Sequence, residues 1–114
     1  MFVVAVKKTC IMYLECKAGA LQGAARIGRV TFSKSRRSLS YAGCNFISLD
    51  GQGFKANYLN TTTGEDYWIS GPKKRGVDRL YGTGHVEVDE DVREEYWTEI
   101  RGTPELEKLS YYKS

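Results

Sequence analysis

Histidine is almost missing from this chain. His85 is the only one, so any Ser-His-Asp triad or histidine-based metal site would rest on one imidazole. It stands in "GTGHVEV", entering a strand, where a surface or core histidine is the expected reading. Cysteine is scarce as well. Cys10, Cys16 and Cys44 are odd in number and no two are spaced as CxxC, which argues against a disulfide scaffold and a tetrahedral zinc site. Cys16 and Cys44 sit inside apolar patterns and read as buried thiols. Cys10, close to Lys7 and Lys8, comes nearest to the cationic setting a reactive cysteine needs. Long apolar runs are absent: "FVVAV", Phe2 to Val6, falls far short of the roughly 18 residues that span a bilayer. Lys7 and Lys8 follow that run instead of preceding it, unlike a signal peptide, so a cytoplasmic protein with no membrane partner is expected. No GxGxxG follows a strand and no GxxxxGK[ST] occurs, which leaves nucleotide binding without a fingerprint. Neither a metal nor a cofactor is expected.

What the chain does have is enough apolar and aromatic side chains, 41% and 12% of its residues, for one folded core, and at 114 residues its size suits a single domain. Its net charge of +3 hides a division. Residues 1–82 carry 13 Lys/Arg against 5 Asp/Glu, or +8, and residues 83–114 carry 4 against 9, or −5. Such a split suits an anionic partner for the first part, and equally suits acidic and basic segments packing on each other within or between subunits.

Most of the chain reads as short strands punctuated by its 12 glycines. "IMYLECK" puts Met12, Leu14 and Cys16 on one side and Ile11, Tyr13 and Glu15 on the other; "RIGRVTFS" puts Val30 and Phe32 opposite Arg29 and Thr31. "LSYAGCNFISL" supplies two strands broken at Gly43, and "TTTG" has the composition of a hairpin loop with a residue at positive φ. "DYWIS", "GPKKRG" and "VDRLYG" read as strand, turn and returning strand. Turns recur about every 8 to 12 residues, the spacing of a meander that closes into a small barrel. The period then changes. In "VDEDVREEYWTEIRG", Val92, Tyr96 and Ile100 fall at helical spacing with Trp97 beside them; Asp89 is the expected N-cap and Gly102 the C-cap.

Candidate sites are few. The helix pairs Glu90 with Glu94 and Glu95 with Glu99, a spacing more typical of a solvated face than of a general acid and base. Asp50, Asp66 and Asp78 are separate in sequence. The basic turns "SKSRRS" and "PKKR" are more suggestive: if both point to one end of the sheet, they form a cationic rim near Tyr41, Phe46, Phe54, Tyr58, Tyr67 and Trp68. Cations around strand aromatics are how small barrels bind single-stranded nucleic acid. The competing reading is that the turns are charged because they are exposed and the aromatics fill the core. Trp68 and Tyr81 would also place aromatics on the second face of the hairpin, which then needs a cover or a ligand.

"GEDYWISGPKKRGVDRLYG", with "GQGFKANY" upstream and "YWTEIRG" downstream, resembles a group of short bacterial proteins of uncharacterised function, from Met12 to about Pro104. Some chains of that group carry the label 1-deoxy-D-xylulose-5-phosphate synthase. A thiamine-diphosphate enzyme needs on the order of several hundred residues and a cofactor motif around Gly-Asp-Gly, so the resemblance implies no catalytic residue and no cofactor here.

The expected fold is therefore α+β and mainly antiparallel β, a curved sheet or small barrel of SH3 or OB size closed by one C-terminal helix. Residues 1–11 form a dispensable extension, 12–88 the β region, 89–102 the amphipathic helix and 103–114 a tail of the same domain. The expected function is a non-enzymatic module that binds an anionic partner, with single-stranded nucleic acid first, through Arg29, Arg36, Arg37, Lys55, Lys73, Lys74 and Arg75 with Trp68 and Tyr81. The alternatives are a homo-oligomeric accessory protein and a small enzyme using Asp, Lys or Tyr in a pocket.

Overall fold

The computed structural model describes residues 8–18, 23–51, 56–79 and 84–113. Eight strands are present among them: β1 (Thr9–Cys16), β2 (Ala25–Phe32), β3 (Ser38–Tyr41), β4 (Cys44–Ser48), β5 (Tyr58–Asn60), β6 (Asp66–Ser70), β7 (His85–Val88) and β8 (Tyr111–Lys113). The first six follow one another as antiparallel neighbours, and β1 pairs with both β2 and β6, so the sheet closes into a six-stranded barrel. The expected class, mainly antiparallel β with a short C-terminal helix, is what the chain adopts. Chain breaks fall where the turn chemistry put them: Ala42-Gly43 joins β3 to β4, and Gly64 lies at positive φ in the loop between β5 and β6.

The strand that divides the molecule is β2. Its last residues pair with β3, and Ala25 to Ile27 pair in parallel with β7, which in turn carries β8. The sheet therefore extends beyond the barrel on one side. Gly28 lies between the two stretches of β2. A Cβ there would come within 2.4 Å of the Tyr41 ring and 2.6 Å of Asp89, so only glycine allows them this approach.

Two cores follow from the period-2 alternation of β1 and β2. Leu14, Val30, Phe32, Leu39, Phe46 and Ile69 fill the barrel, with Met12, Cys10 and Cys44 packed against them. Ile11, Tyr13, Ala25 and Ile27 point outward and meet Val86, Val88, Val92, Tyr96 and Trp97. Burying one such side chain stabilises by about 1.5–3 kcal/mol, and a barrel of this size has too few inward positions to hold all of them. The second core lets both faces of one wall contribute.

Its lid is the helical segment that starts after Asp89. It runs through a 3-10 turn (Glu90–Val92), an α turn (Arg93–Glu95) and a π turn (Tyr96–Ile100). Val92, Tyr96 and Trp97 are buried as the apolar stripe requires. Gly102, at φ 66°, ends the segment in the left-handed conformation, and the Thr103 amide reaches back to the Trp97 carbonyl at 2.7 Å, one residue further than in a Schellman cap because the last turn is a π turn. Asp89 does stand at the N-cap, yet its carboxylate makes no capping bond there and pairs with Arg26 and Tyr41 instead. The tail belongs to the sheet: after a 3-10 turn (Pro104–Leu106) it forms β8.

Two expectations need correction. The strand boundary is Thr9, not Met12, because Thr9 to Ile11 pair with β2 and Ile11 is buried in the outer core; residues 1–7 lie outside the described residues. The described part of the segment after "DYWIS" forms no returning strand either. β6 takes β1 and β5 as its neighbours, and residues 71–79 run on without strand pairing, with Asp78 and Arg79 both buried where strand alternation would turn one of them outward. Leu80 and Tyr81 lie outside the described residues.

Ile11→Ala should lower the unfolding free energy by about 2–5 kcal/mol in a urea titration. A change near zero would mean that the first residues of β1 contribute nothing to the outer core.

Candidate binding site: a cationic loop over an apolar groove

The loop after β6 is shaped by one carboxylate. Asp78 is buried, and its Oδ1 accepts the Lys73 amide at 2.7 Å, closing residues 73–78 into a tight bow. Its Oδ2 accepts from Tyr96 at 2.9 Å, from Arg101 at 2.7 Å and from the Tyr112 hydroxyl. Arg101 completes the frame: it lies over the rings of Tyr96 and Tyr112 and donates to the Gly76 carbonyl at 2.8 Å. The bow is thus fixed at Lys73 and Gly76, and between those points Lys74 and Arg75 project from the surface. Lys73, Lys74 and Arg75 are exposed, and none has an ion-pair partner among the described residues.

Arg79, the next residue, turns the other way. Its guanidinium reaches Glu15 at 3.1 Å and the carbonyls of Gly23 and His85 at 3.0 and 3.1 Å. Glu15 also accepts from Tyr13 at 2.6 Å, Lys17 at 2.7 Å and the Gly23 amide at 3.0 Å. Glu15 and Lys17 are fully buried, and such charges survive burial only when paired and hydrogen-bonded in this way. One dipeptide therefore pins the loop to the barrel wall through Arg79 and to the C-terminal layer through Asp78.

Between the bow and that layer runs a groove of about 300 Å³. Val77, Trp97, Leu106, Leu109 and Tyr112 give it an apolar lining; Lys74, Arg101 and Lys113 are its charged residues, and among the described residues no acidic side chain lines it. Val77 is 52% exposed, an apolar side chain left open at the groove beside the exposed cations. The walls are rigid: Trp97 donates its indole N–H to Leu109 at 2.9 Å, and its ring meets those of Tyr96 and Tyr112 edge to face.

The other expected site residues are placed elsewhere. Arg36 and Arg37 are exposed in the turn from β2 to β3, with Arg36 over the Phe32 ring at 5.6 Å. Arg29 is paired with Glu95 of the helix at 2.8 Å, and Arg26 with Asp89 at 2.6 Å, so part of the charge division is satisfied within the chain. Lys55 and Tyr81 lie outside the described residues. Of the strand aromatics, Phe46 is buried, Tyr67 packs edge-on against it at 4.9 Å, and Tyr58 and Tyr41 pack on the barrel core. Trp68 packs on the outer core that the helix closes, so its half of the second aromatic face is covered. Phe54 lies outside the described residues.

The carboxylates do not converge. Asp50 is exposed in a turn and Asp66 at the start of β6, and Asp78 is buried with both oxygens engaged. Glu94, Glu95 and Glu99 form an exposed acidic face with Asp91. His85 is exposed on β7, bonded to Glu87 at 2.6 Å and stacked on Tyr111. Among the described residues no group of acidic, histidine and cysteine side chains is arranged to hold a metal, and no helix is long and apolar enough to cross a membrane. Compared with family models, curated proteins and solved structures, the chain has no match in any of the three.

Burial pushes the Tyr96 hydroxyl up to about 12, with the Asp78 charge adding to the rise against the hydrogen bonds of Tyr112 and Arg101. Burial and then the bond to Asp78 raise Tyr112, and burial with the bond to Glu15 raises Tyr13. Each holds its proton more tightly folded than unfolded, where tyrosine titrates near about 10. The stability they contribute is therefore complete below about pH 10 and is lost as pH rises through the folded values. Urea unfolding should show a level plateau to about pH 10 and then a steep fall toward pH 12. A plateau that continues unchanged through that range would contradict the buried tyrosine network.

Proposed function

We propose that the chain is a non-enzymatic binding module for an anionic partner, and that Lys73, Lys74 and Arg75 are its recognition element. The observation that carries this reading is the clamped bow. Three neighbouring cations are exposed on a loop whose backbone is fixed by Asp78 and Arg101, beside a groove whose charged lining residues, among those described, are all basic. Cations on a pre-formed loop lose less conformational entropy on binding than cations on a floppy one. Arg36 and Arg37 would add a second, separate contact for a longer polyanion.

Nucleic acid remains one such partner, bound through its phosphates. The base-stacking half of that reading has less support, since Phe46, Tyr67 and Trp68 are committed to the two cores. A fluorescein-labelled oligothymidine and a labelled polyglutamate serve as probes. Binding to at least one should weaken log-linearly with salt, and Lys73→Ala/Lys74→Ala/Arg75→Ala should reduce it by about tenfold or more and flatten the slope. An absence of salt-sensitive binding to both probes at low ionic strength would refute the proposal.

A further inference from the structure

The sheet does not end where the barrel closes. Among the described residues β8 pairs with β7 alone, so no described strand covers its other edge. The ladder shows which groups that edge offers. Val88 donates to the Ser110 carbonyl at 2.8 Å, and bonded pairs alternate along antiparallel strands, so Val86 and Tyr112 form the next bonded pair. Tyr111 and Lys113 must then turn their N–H and C=O groups away from β7. Tyr112 faces the helix and Lys113 the opposite side, yet both line the 300 Å³ groove, so the groove reaches this edge. A free edge beside an apolar groove with cations is what an added strand uses: its backbone pairs with the edge and alternate side chains enter the groove.

From this placement we infer that the anionic partner is an extended acidic peptide with apolar residues at alternate positions, which joins the sheet as a strand on β8. The inference rests on the binding-module reading above and names its partner. Backbone pairing supplies direction, Val77, Leu106 and Leu109 receive the apolar side chains, and Lys74 and Lys113 meet the acidic ones. Two observations favour a peptide over a nucleic acid: the apolar lining of the groove, and a strand edge that offers C=O as well as N–H groups, of which phosphates can accept from the N–H groups but supply no donor to the C=O groups. They also explain why the edge is charged. Lys113 on an open edge discourages indiscriminate pairing while welcoming a carboxylate-bearing strand.

The test uses the full chain, a labelled short peptide of alternating glutamate and valine, and the same peptide with every backbone nitrogen methylated. The parent peptide should bind, and methylation should weaken it by about tenfold or more because the backbone donors are gone. Tyr111→Pro removes an outward N–H that β7 does not use, so it should weaken the parent peptide similarly while Tyr111→Ala does not. Melting temperatures check that the proline variant folds; if it does not, the methylated peptide on the native chain decides. Equal affinity for both peptides, with salt dependence retained, overturns strand addition and leaves the anionic reading standing. Binding of oligothymidine without binding of the peptide has the same consequence and makes the partner a nucleic acid. Concentration-dependent dimers that Tyr111→Pro abolishes, without peptide binding, give the edge to a second copy and overturn the peptide. Failure of both polyanions to bind removes the underlying reading as well.

Discussion

Two adjacent residues of opposite charge, Asp78 and Arg79, are buried side by side and answer to different partners. The guanidinium of Arg79 faces Glu15 on the barrel wall, and the carboxylate of Asp78 faces Tyr96, Arg101 and Tyr112 in the C-terminal layer. Taking charges out of water costs several kcal/mol each, so this arrangement persists only because Glu15 and Asp78 each accept four hydrogen bonds from described residues. A buried pair of this kind is a weak source of net stability but a strong constraint on register. Shifting the loop by one residue would exchange the two charges and leave both without partners.

That constraint explains why a small barrel carries an external layer. The barrel itself is filled by its inward side chains, while the outward faces of β1 and β2 supply a second apolar surface that the helix, β7 and β8 cover. The buried dipeptide fastens the two layers at one point, and the loop that leads to it is held as a consequence. Three cations then sit on a backbone they do not have to order. Elsewhere the opposite charges are spent locally, as Arg26 with Asp89 and Arg29 with Glu95 show.

Much of this was legible in the residues. Alternation placed Met12 and Leu14 opposite Ile11 and Tyr13, and the change of period placed Val92, Tyr96 and Gly102 in a capped helix, because these are local patterns set by backbone geometry. Glu15 was also on the correct face. A carboxylate in line with Ile11 and Tyr13 was the one available sign of a buried polar cluster, and only the fold could show that Arg79 and Lys17 meet it. What stayed hidden depends on distant contacts. "VDRLYG" alternates as a strand should, but in its described part, Val77 to Arg79, both Asp78 and Arg79 are buried and no strand pairing forms. Asp89 has the right chemistry for a cap and is drawn off by Arg26 and Tyr41. β8 has only three residues and no turn signal, and its strand character comes from β7.

The central claim is that Asp78 fixes the cationic loop before any partner arrives. Amide hydrogen exchange on the free protein tests it residue by residue. The Lys73 N–H, held by the Asp78 carboxylate, should exchange at least about a hundredfold more slowly than an open chain, while the Lys74 and Arg75 amides exchange freely. If Lys73 exchanges as fast as Lys74 and Arg75, the loop is not clamped and the account fails at its base.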